Sequence, residues 1–446
     1  MHTSSKRFLL VNPWISDVAA YNFWIRPLGL YAVAEWLYQR GAEFLLIDCL
    51  SPFEAPGRFG RRVAVQPECF RTYGIKRRFC RYGISVEEFI FRLREGLSVG
   101  GSFDAVLITS AISYWYPGVQ WAVECIRKHL PGVPISLGGI YPSLWPEHAE
   151  AHSGADRIFK GPLEFYSIEL ANVLGLPNNP IRKKLPWYRL GLHDGVAYSG
   201  IRTAYGCPFR CTYCASRIVS GDFRERRSVE IVHELTWLRR CGVSHVSFYD
   251  DALLVDFNNR LRPVLEELNK KNIRMAFHTP NALHARLVNS HVAHLLHISG
   301  FRTIRISLET VDVARQKATG GKVLDSDVEM AVRFLQEAGF KASDIGVYLL
   351  VGLPGQELEE IRAGIEMVRA LGARPYLAEL SPIPGTAVWS ELEALGKVWQ
   401  DMDPLLTNNS VFWEWSGFCS RQEFDELKQL CSESSSALAK AGTITT

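Results

Sequence analysis

The sequence predicts an α/β protein with a doubly wound amino-terminal domain, a partial barrel of six β/α units and a short helical cap. The main observation is that short apolar runs alternate with amphipathic helical segments along most of the chain. Such alternation is typical of parallel sheets covered by helices. The second observation is size and composition. The 446 residues, 47% hydrophobic and 22% charged, have room for two or three globular domains.

The first half contains five apolar runs that we interpret as buried parallel strands. They cover residues 7–11, 44–47, 105–108, 134–137 and 157–159. Between the first two runs, apolar residues from Leu30 to Tyr38 recur with helical spacing, and Gly41 follows the predicted helix end. This pattern predicts a flavodoxin- or Rossmann-like domain over residues 1–170.

Residues 171–196 are rich in Pro, Asn, Gly and basic residues and are predicted to form a linker. The alternation then resumes over residues 197–395. The predicted strands there cover residues 201–204, 246–249, 275–279, 303–307, 346–351 and 378–380. Six β/α units indicate an open or partial parallel barrel, whose chemistry is expected at the carboxyl ends of its strands. Residues 396–446 are predicted to form the cap.

The net charge is only +3, because 50 Lys and Arg residues face 47 Asp and Glu residues. So small a net charge argues against nucleic acid as the partner. No apolar stretch reaches the ~18 residues needed to cross a bilayer, and no secretory apolar region is seen near the first residues. We therefore expect a cytoplasmic protein.

Three of the ten cysteines, Cys207, Cys211 and Cys214, form a C-x3-C-x2-C motif just after the first predicted strand of the barrel. In a reducing compartment, clustered thiols more often bind metal than form disulfides. Structural zinc is one candidate, but it normally takes four ligands in paired C-x2-C units, and no second pair follows. Three thiolates from one loop suit three irons of a four-iron cluster, which leaves the fourth iron open to a substrate.

The cysteine spacing, with Tyr213 before the last cysteine, resembles the signature of the radical S-adenosylmethionine (SAM) superfamily. Segments at four later strand ends resemble SAM-contacting elements of that family in the same order: residues 249–251, 306–310, 352–355 and 381–386. The resemblance implies that the three cysteines bind a 4Fe-4S cluster and that SAM contacts Asp250, Asp251, Ser307, Glu309, Gly352 and Pro382. Alternatively, the two aspartates cap a helix and Glu309 is a solvated loop carboxylate.

The first half resembles the cobalamin-binding domain that precedes many radical SAM enzymes. The segments carrying this resemblance are residues 26–30, 47–48, 108–110, 137–139 and 160–164. It implies contacts between cobalamin and Thr109, Ser110, Gly138, Gly139 and Gly161, where small residues let a bulky cofactor approach the strand ends. The alternative is that the glycines only serve turns. One departure is clear: Asp17 is followed by Val, Ala and Ala, so the Asp-x-His-x-x-Gly element of other cobalamin domains is absent.

The combined resemblance is to class B-like radical SAM methyltransferases. It implies an enzyme that reductively cleaves SAM at the cluster and starts radical chemistry on an unactivated carbon, with C-methylation as the leading hypothesis. One alternative is that the enzyme catalyses a cyclisation or a rearrangement. Another is a radical SAM enzyme whose amino-terminal domain no longer binds cobalamin. A non-catalytic sensor of the cluster or of cobalamin is the alternative from another class. The expected partners are a small-molecule, lipid or peptide substrate and a reducing protein such as flavodoxin or ferredoxin.

A basic segment follows the second predicted strand. Its cations are Arg58, Arg61, Arg62, Arg71, Lys76, Arg77, Arg78 and Arg81, and its single carboxylate is Glu68. Such an excess of positive charge favours a phosphate or carboxylate ligand, with a solvated surface loop as the alternative.

Overall fold

The computed structural model describes residues 5–22, 26–50, 57–58, 62–182 and 197–441. These residues divide into two compact units. The first unit contains the described residues up to 182, together with Ile218–Gly221 and Gln400–Asn408. The second unit contains the remaining described residues from 197 onward.

The first unit is built on a five-stranded parallel sheet with smaller antiparallel sheets beside it. Its strands are β1 (Arg7–Asn12), β2 (Ile15–Asp17), β3 (Tyr21–Asn22), β4 (Glu43–Asp48), β5 (Gly57–Arg58), β6 (Arg62–Val65), β7 (Phe79–Tyr82), β8 (Ala105–Ile108), β9 (Ile135–Leu137) and β10 (Arg157–Ile158). The parallel sheet has the order β10-β9-β8-β1-β4. Because the order reverses between β8 and β1, the arrangement is flavodoxin-like, and ligands of such sheets bind beside that point at the carboxyl ends of the strands.

Helices cover this sheet because its central strands are apolar on both faces. Phe8, Leu9, Leu10 and Val11 of β1 are completely buried, as expected for a parallel strand packed between two helical layers. The helices are α1 (Leu28–Gln39), α2 (Glu68–Thr72), α3 (Val86–Gly100), α4 (Tyr116–His129), α5 (Ile140–Leu144), α6 (Pro146–His152) and α7 (Leu163–Leu174).

The second unit is built on a sheet of six parallel strands in the order β11-β14-β15-β17-β18-β19, with β16 paired to β17. The strands are β11 (Tyr198–Ile201), β12 (Ala204–Tyr205), β13 (Arg224–Glu225), β14 (His245–Phe248), β15 (Ala276–His278), β16 (Leu283–His284), β17 (Phe301–Glu309), β18 (Ile345–Val351) and β19 (Arg374–Glu379). β12 and β13 form a separate antiparallel pair. Among the described strands β11 and β19 are the two edges of the sheet, so the barrel is open.

Helices also alternate with the strands beyond residue 197. They are α8 (Ser216–Ser220), α9 (Ser228–Arg240), α10 (Leu261–Lys270), α11 (Ser290–Ile298), α12 (Val313–Ala318), α13 (Asp325–Glu337), α14 (Leu358–Ala370), α15 (Ala387–Ala394), α16 (Phe412–Trp415) and α17 (Arg421–Ala441). No helix in the described part of the chain combines the length and apolar character required to cross a bilayer.

The predicted fold class is confirmed: a doubly wound sheet is followed by a partial six-stranded barrel and carboxyl-terminal helices. Two strand positions differ from prediction. The first barrel strand lies at Tyr198–Ile201, three residues earlier than predicted, and Ala204 belongs instead to the β12–β13 pair. The last strand begins at Arg374 rather than at residue 378.

The domain boundaries stay a prediction, which the structure describes only in part. The predicted domain end at residue 170 falls inside α7, which ends at Leu174. Most of the predicted linker, residues 183–196, lies outside the described residues. In the predicted cap, Gln400–Asn408 groups with the first unit, whereas the described residues from 409 onward group with the second.

Candidate functional site

The cysteine motif occupies the loop between β12 and α8 and is held in place by two other segments. The backbone N–H of Thr212 donates to the carbonyl of Thr319 at 3.3 Å, and the N–H of Val388 donates to the carbonyl of Thr212 at 3.1 Å. A Cβ atom on Gly320 would lie 3.2 Å from the Arg210 carbonyl oxygen. The absence of a side chain at Gly320 therefore lets this turn pack directly on the cysteine loop.

The three thiols share this loop but differ in exposure. Cys207 and Cys211 are partly buried, and Cys214 is exposed. Burial raises the pKa of Cys207 to about 11, and the charges of the other two cysteines and of Asp251 add to the rise. Burial also raises the pKa of Cys211, although the nearby Lys322 ammonium opposes it. Binding of metal to these thiols would therefore release protons, because the thiolate is the ligand.

The thiols fit a cluster better than a single ion. Within the residues that the structure describes, no three His, Cys, Asp or Glu side chains converge closely enough to hold one metal ion. An iron-sulfur cluster has a different requirement, because each thiolate binds its own iron. The donor set of three cysteines on one loop is thus compatible with the predicted 4Fe-4S cluster.

Glu309 links the end of β17 to the cysteine loop. The hydroxyl of Tyr213 donates to Glu309 Oε1 at 2.7 Å, and Lys322 Nζ lies 3.4 Å from the same oxygen. Glu309 also has a φ of 70°, which non-glycine residues rarely adopt. Its position follows a shift in the β17–β18 register. The bulge and the positive φ together turn this carboxylate toward the cysteines at the strand end.

Lys322 was not among the sequence-predicted site residues, yet it contacts the same centre. Its ammonium interacts with Glu309 and lowers the pKa of Cys211, and its side chain is only 14% exposed. A partly buried cation between a carboxylate and a thiol can bind a further anionic group. The available signal in the sequence was the Gly-Gly pair that precedes it, which allows a tight turn next to another loop.

The two aspartates after β14 have different surroundings. Asp250 is 2% exposed and accepts hydrogen bonds from the backbone N–H groups of Thr203 and Ala204 and from the Thr203 hydroxyl. It also pairs with the buried Arg260 at 3.4 Å. Asp251 is partly exposed and close enough to Cys207 to raise the pKa of that thiol. The structure therefore gives Asp250 a positioning role beneath the cysteine loop and leaves Asp251 beside the cysteines.

The remaining predicted SAM residues lie at the same edge of the sheet. Ser307 is buried on β17 opposite Tyr348 of β18. Gly352 follows β18, where Gln356 Oε1 accepts a hydrogen bond from its N–H at 2.9 Å. Pro382 follows β19, whose end pairs with the end of β18. Their contacts with SAM stay predictions.

The predicted cobalamin residues lie together at the carboxyl edge of the first unit's sheet. Thr109 and Ser110 follow β8, which lies at the reversal of strand order, and the glycines follow β9 and β10. Gly139 has a φ of 101°, and a Cβ atom there would lie 2.3 Å from the Ser110 carbonyl oxygen, so only glycine fits. At Gly138, by contrast, the nearest atom would be Tyr166 Oη at 3.5 Å. A Cβ atom at Gly138 would therefore make only an ordinary van der Waals contact, so the chain is less tightly packed there than at Gly139.

Hydrogen bonds of the Ser143 hydroxyl connect Gly161 to Gly139 at this edge of the sheet. The N–H of Gly161 donates to Ser143 Oγ at 2.8 Å, and that hydroxyl donates to the carbonyl of Gly139 at 2.6 Å. The Ser110 hydroxyl accepts from the N–H of Tyr141 at 3.0 Å. These hydrogen bonds connect the segments that follow β8, β9 and β10.

The basic segment does not form a single anion site among its described side chains. Arg71, Lys76 and Arg78 are exposed. Arg81 lies 5.3 Å from the ring centroids of both Trp14 and Trp121. Arg61, and the side chains of Arg58 and Arg62, lie outside the described part of the chain. Arg77 is partly buried, so the segment is not uniformly solvated and the predicted phosphate or carboxylate ligand stays a prediction.

Asp17, which stands where other cobalamin domains begin their histidine motif, is a buried carboxyl. Trp115 Nε1 donates to its Oδ2 at 2.7 Å, and Asn408 Nδ2 donates to its Oδ1 at 2.8 Å. Burial nevertheless raises the pKa of Asp17 from 3.8 to about 6. This carboxyl therefore holds Gln400–Asn408 within the first unit and titrates near neutral pH.

The titration of Asp17 predicts a pH-dependent stability. Because its folded pKa lies above its unfolded pKa, protonated Asp17 contributes stability that is fully present below pH 3.8 and is lost as the pH rises through 6. Between these limits, the unfolding free energy of the parent protein should fall by up to about 3 kcal/mol relative to Asp17→Asn. Calorimetric unfolding from pH 4 to 7 measures this difference. Asp104→Asn, at a half-exposed carboxylate, is the control, and parallel curves for the parent and Asp17→Asn would contradict the assignment.

A family model decides the identity of the second unit: residues 201–368 match the Radical SAM superfamily. This segment is a radical SAM domain. Its matched residues contain the cysteine loop, Glu309 and Lys322. The chain is therefore an enzyme, and the resemblance inferred from the cysteine spacing is confirmed over the matched residues.

Curated relatives of the chain include methyltransferases and methylthiotransferases. An uncharacterized methyltransferase of Pyrococcus horikoshii is 25% identical over 341 residues, covering 74% of this chain and 70% of the relative. The hopanoid C-2 methylase of Rhodopseudomonas palustris is 22% identical, covering 67% of this chain and 60% of the relative. The uS12 methylthiotransferase of Streptomyces avermitilis is 25% identical but aligns with only 46% of this chain and 41% of its own length.

Solved structures extend the likeness to both units. The radical SAM methyltransferase TsrM of Kitasatospora setae, solved with cobalamin and a [4Fe-4S] cluster, covers 89% of this chain with a TM-score of 0.65 and 19% identity. The alignment spans 79% of the TsrM chain. The cobalamin-dependent enzyme OxsB covers 88% of this chain and 55% of its own, with a TM-score of 0.57 and 14% identity. At these identities the likeness establishes a shared fold.

Within the radical SAM domain, Glu309→Gln should weaken SAM binding without loss of the cluster. The amide removes the negative charge that Lys322 and Tyr213 face, so we expect the Kd for SAM to rise about tenfold while the iron content is unchanged. Equilibrium dialysis of the reconstituted protein measures the Kd. Glu359→Gln, at an 85% exposed carboxylate on α14, is the matched control. Loss of iron in Glu309→Gln, or an unchanged Kd, would contradict the assigned role.

Proposed function

We propose that the protein is a cobalamin-dependent radical SAM methyltransferase that transfers a methyl group to an unactivated carbon of its substrate. The observation that carries this proposal is the combination of the two units: a radical SAM domain follows a flavodoxin-like sheet, and this arrangement matches TsrM over 89% of the chain. Methyltransferase relatives at 22–25% identity support the same reaction class.

The residues present fit the three groups that this activity requires. Cys207, Cys211 and Cys214 offer three thiols from one loop for the cluster. Glu309 and Lys322 offer a partly buried carboxylate and a partly buried ammonium for the amino acid end of SAM. In the other unit, Thr109 and Ser110 follow β8 at the point where the strand order reverses, which is where flavodoxin-like sheets bind cofactors.

When bound, these groups supply the reactive chemistry, namely homolytic cleavage of SAM and a transferable methyl group. The chain's own residues bind and orient. Tyr213 keeps its proton because burial and Glu309 raise its pKa, so it donates to Glu309 and fixes the carboxylate relative to the cysteine loop. Asp250 fixes the strand that leads into the same loop through Thr203 and Ala204.

Anaerobic reconstitution tests this function. The full-length protein is purified without oxygen, incubated with iron, sulfide and hydroxocobalamin, desalted and analysed for iron and cobalt. We expect about four irons and one cobalamin per chain, and turnover of SAM under reductant. Zinc in place of iron would overturn the proposal. Iron without cobalt would restrict the function to radical SAM chemistry without cobalamin.

A further inference from the structure

We propose that the inner face of the second unit's sheet binds an anionic group of the substrate, a phosphate or a carboxylate, through Arg305 and Arg202. By inner face we mean the face turned away from the packed helices. The inference rests on the proposed function, because it places the substrate within the open barrel of the radical SAM domain. It adds the chemical class of that substrate.

Burial along the strands identifies the inner face. In β17, Ile304, Ile306 and Leu308 are completely buried, and in β18 the side chain of Leu349 lies against Gly364 of α14. Because successive residues of a strand point to opposite faces, Arg305 and Tyr348 point to the inner face. The register places Tyr376 of β19 beside Tyr348. Arg202 comes directly after β11 and is an even number of residues from Tyr198, so the two side chains share a face. Tyr198 pairs with His245 of β14.

Arg305 is held across β18 by its neighbours. Its Cζ lies 4.4 Å from the ring centroid of Tyr376, and its Nη2 lies 3.4 Å from the Tyr376 hydroxyl. A Cβ atom on Gly346 would lie 2.9 Å from Arg305 Nη1 and 2.7 Å from Tyr376 Cε2. The missing side chain at Gly346 therefore makes room for the guanidinium, and cation–π stacking orients it. A guanidinium held in this way needs little reorganisation to bind an anion.

The charges on this face are not balanced by protein carboxylates. Three other arginines of the unit each have one: Arg226 pairs with Glu234, Arg260 with Asp250 and Arg315 with Glu360. Within the described residues, by contrast, neither Arg305 nor Arg202 has a carboxylate within 4.0 Å. A partly buried cation without a counter-charge is costly. A ligand anion would remove that cost.

Polar atoms around the two arginines lack partners in the described structure. The Nε of Arg202 and the Oγ of Ser307 are buried and make no hydrogen bond there, and Ser307 is only 2% exposed. Ser307 lies two residues from Arg305 and so shares its face. Buried polar groups are nearly always hydrogen-bonded. Their unfilled positions beside a guanidinium are what an oxyanion ligand would satisfy.

His278, which lies on the same face as Arg305, contributes no positive charge to this site. His278 lies below Arg305, with its ring nitrogens 3.0 Å from His245 Nδ1 and Thr303 Oγ1. Burial lowers the pKa of His278 to about 4, and the charges of His245 and Arg305 lower it further. It is neutral at pH 7, so the positive charge of the face belongs to the arginines.

Arg305 lies earlier along β17 than Glu309, and Ser307, itself a predicted SAM residue, lies between the two. Arg305 precedes Glu309 by four residues on one strand, and at about 3.3 Å per residue they lie roughly 13 Å apart along β17. Lys322 already faces Glu309 at that end. Because this distance separates Arg305 from the predicted SAM contact at Glu309, we assign the anion to a second molecule, the methyl acceptor.

Anion-dependent stabilisation tests the inference. The full-length protein is heated with increasing inorganic phosphate or succinate at constant ionic strength. We expect a saturable rise in the unfolding midpoint, with the more effective anion identifying the chemistry. Arg305→Gln should abolish the rise without lowering the midpoint of the anion-free protein, because no carboxylate loses its partner. Arg305→Lys, which keeps the charge but not the fork, should retain a weakened response.

Arg302→Gln is the matched control, since Arg302 is on the same strand but exposed, and it should respond as the parent does. The inference would be overturned if the midpoint of the parent showed no saturable rise, or if Arg305→Gln showed the same rise as the parent. It would also be overturned if Arg302→Gln lost the rise to the same extent as Arg305→Gln. The assay needs neither cluster nor turnover. Failed reconstitution with an intact anion response would therefore refute the proposed function and leave the anion site standing.

Discussion

Replacing Cys211 with alanine is expected to reduce the iron content to background and SAM cleavage by more than about 100-fold, because even residues that only support a metal ligand cost about 10- to 100-fold. Cys211 lies at the centre of the site, where Lys322 and Tyr213 both interact with it. The thiol is partly buried in a loop rather than in the core, so the fold should tolerate the change. Iron analysis and the visible spectrum after anaerobic reconstitution measure the effect.

Cys241→Ala is the control for this substitution. Cys241 is also partly buried but ends α9, outside the cysteine loop, and its loss should leave the iron content unchanged. Cobalamin binding should be the same in both variants, because the predicted cobalamin residues belong to the other unit. A Cys211→Ala protein that keeps its iron, or that loses cobalamin together with iron, would contradict the assignment of two separate sites.

Asp250→Asn is expected to destabilise the radical SAM domain by about 3–5 kcal/mol, the usual cost of removing one partner of a buried ion pair. The amide would leave Arg260, 1% exposed, with Glu225 at 3.5 Å as its remaining carboxylate among the described residues. It would also weaken the hydrogen bonds from Thr203 and Ala204 that lead into the cysteine loop. Denaturant unfolding of the metal-free protein measures the change.

Asp251→Asn separates the positioning role from ligand binding. Because Asp251 is partly exposed, its replacement should change the unfolding free energy by no more than about 0.5 kcal/mol. It should instead raise the Kd for SAM by about tenfold. If Asp250→Asn unfolds like the parent protein but binds SAM poorly, then Asp250 is the SAM ligand after all and the positioning role is refuted.

The parallel strands of the first unit were predictable because both faces of a covered sheet are apolar. The runs at residues 7–11 and 105–108 differ from β1 and β8 by at most one residue. Strand β19 was misplaced because it begins Arg-Pro. Proline is tolerated there, since β19 is an edge strand. Strand β11 was displaced because its Ser-Gly pair lowers strand propensity.

The site was predictable where spacing along the chain carries the chemistry. The three cysteines lie within one loop, and Glu309 ends a strand of the barrel, so sequence patterns indicate both. Lys322 and Arg305 gave no such signal. Lys322 reaches the site only because Gly320 lets its turn pack on the cysteine loop. Arg305 becomes distinctive only when its missing carboxylate partner is seen against those of Arg226, Arg260 and Arg315.

The turn that contains Thr319, Gly320 and Lys322 contacts both the cysteine loop and Glu309. Its backbone bonds the cysteine loop at Thr212, and its lysine holds Glu309. Any displacement of this turn would change both contacts, so we expect iron binding and SAM binding to be thermodynamically linked. Linkage is reciprocal: a loaded cluster should tighten SAM binding, and bound SAM should slow the extraction of iron by chelators.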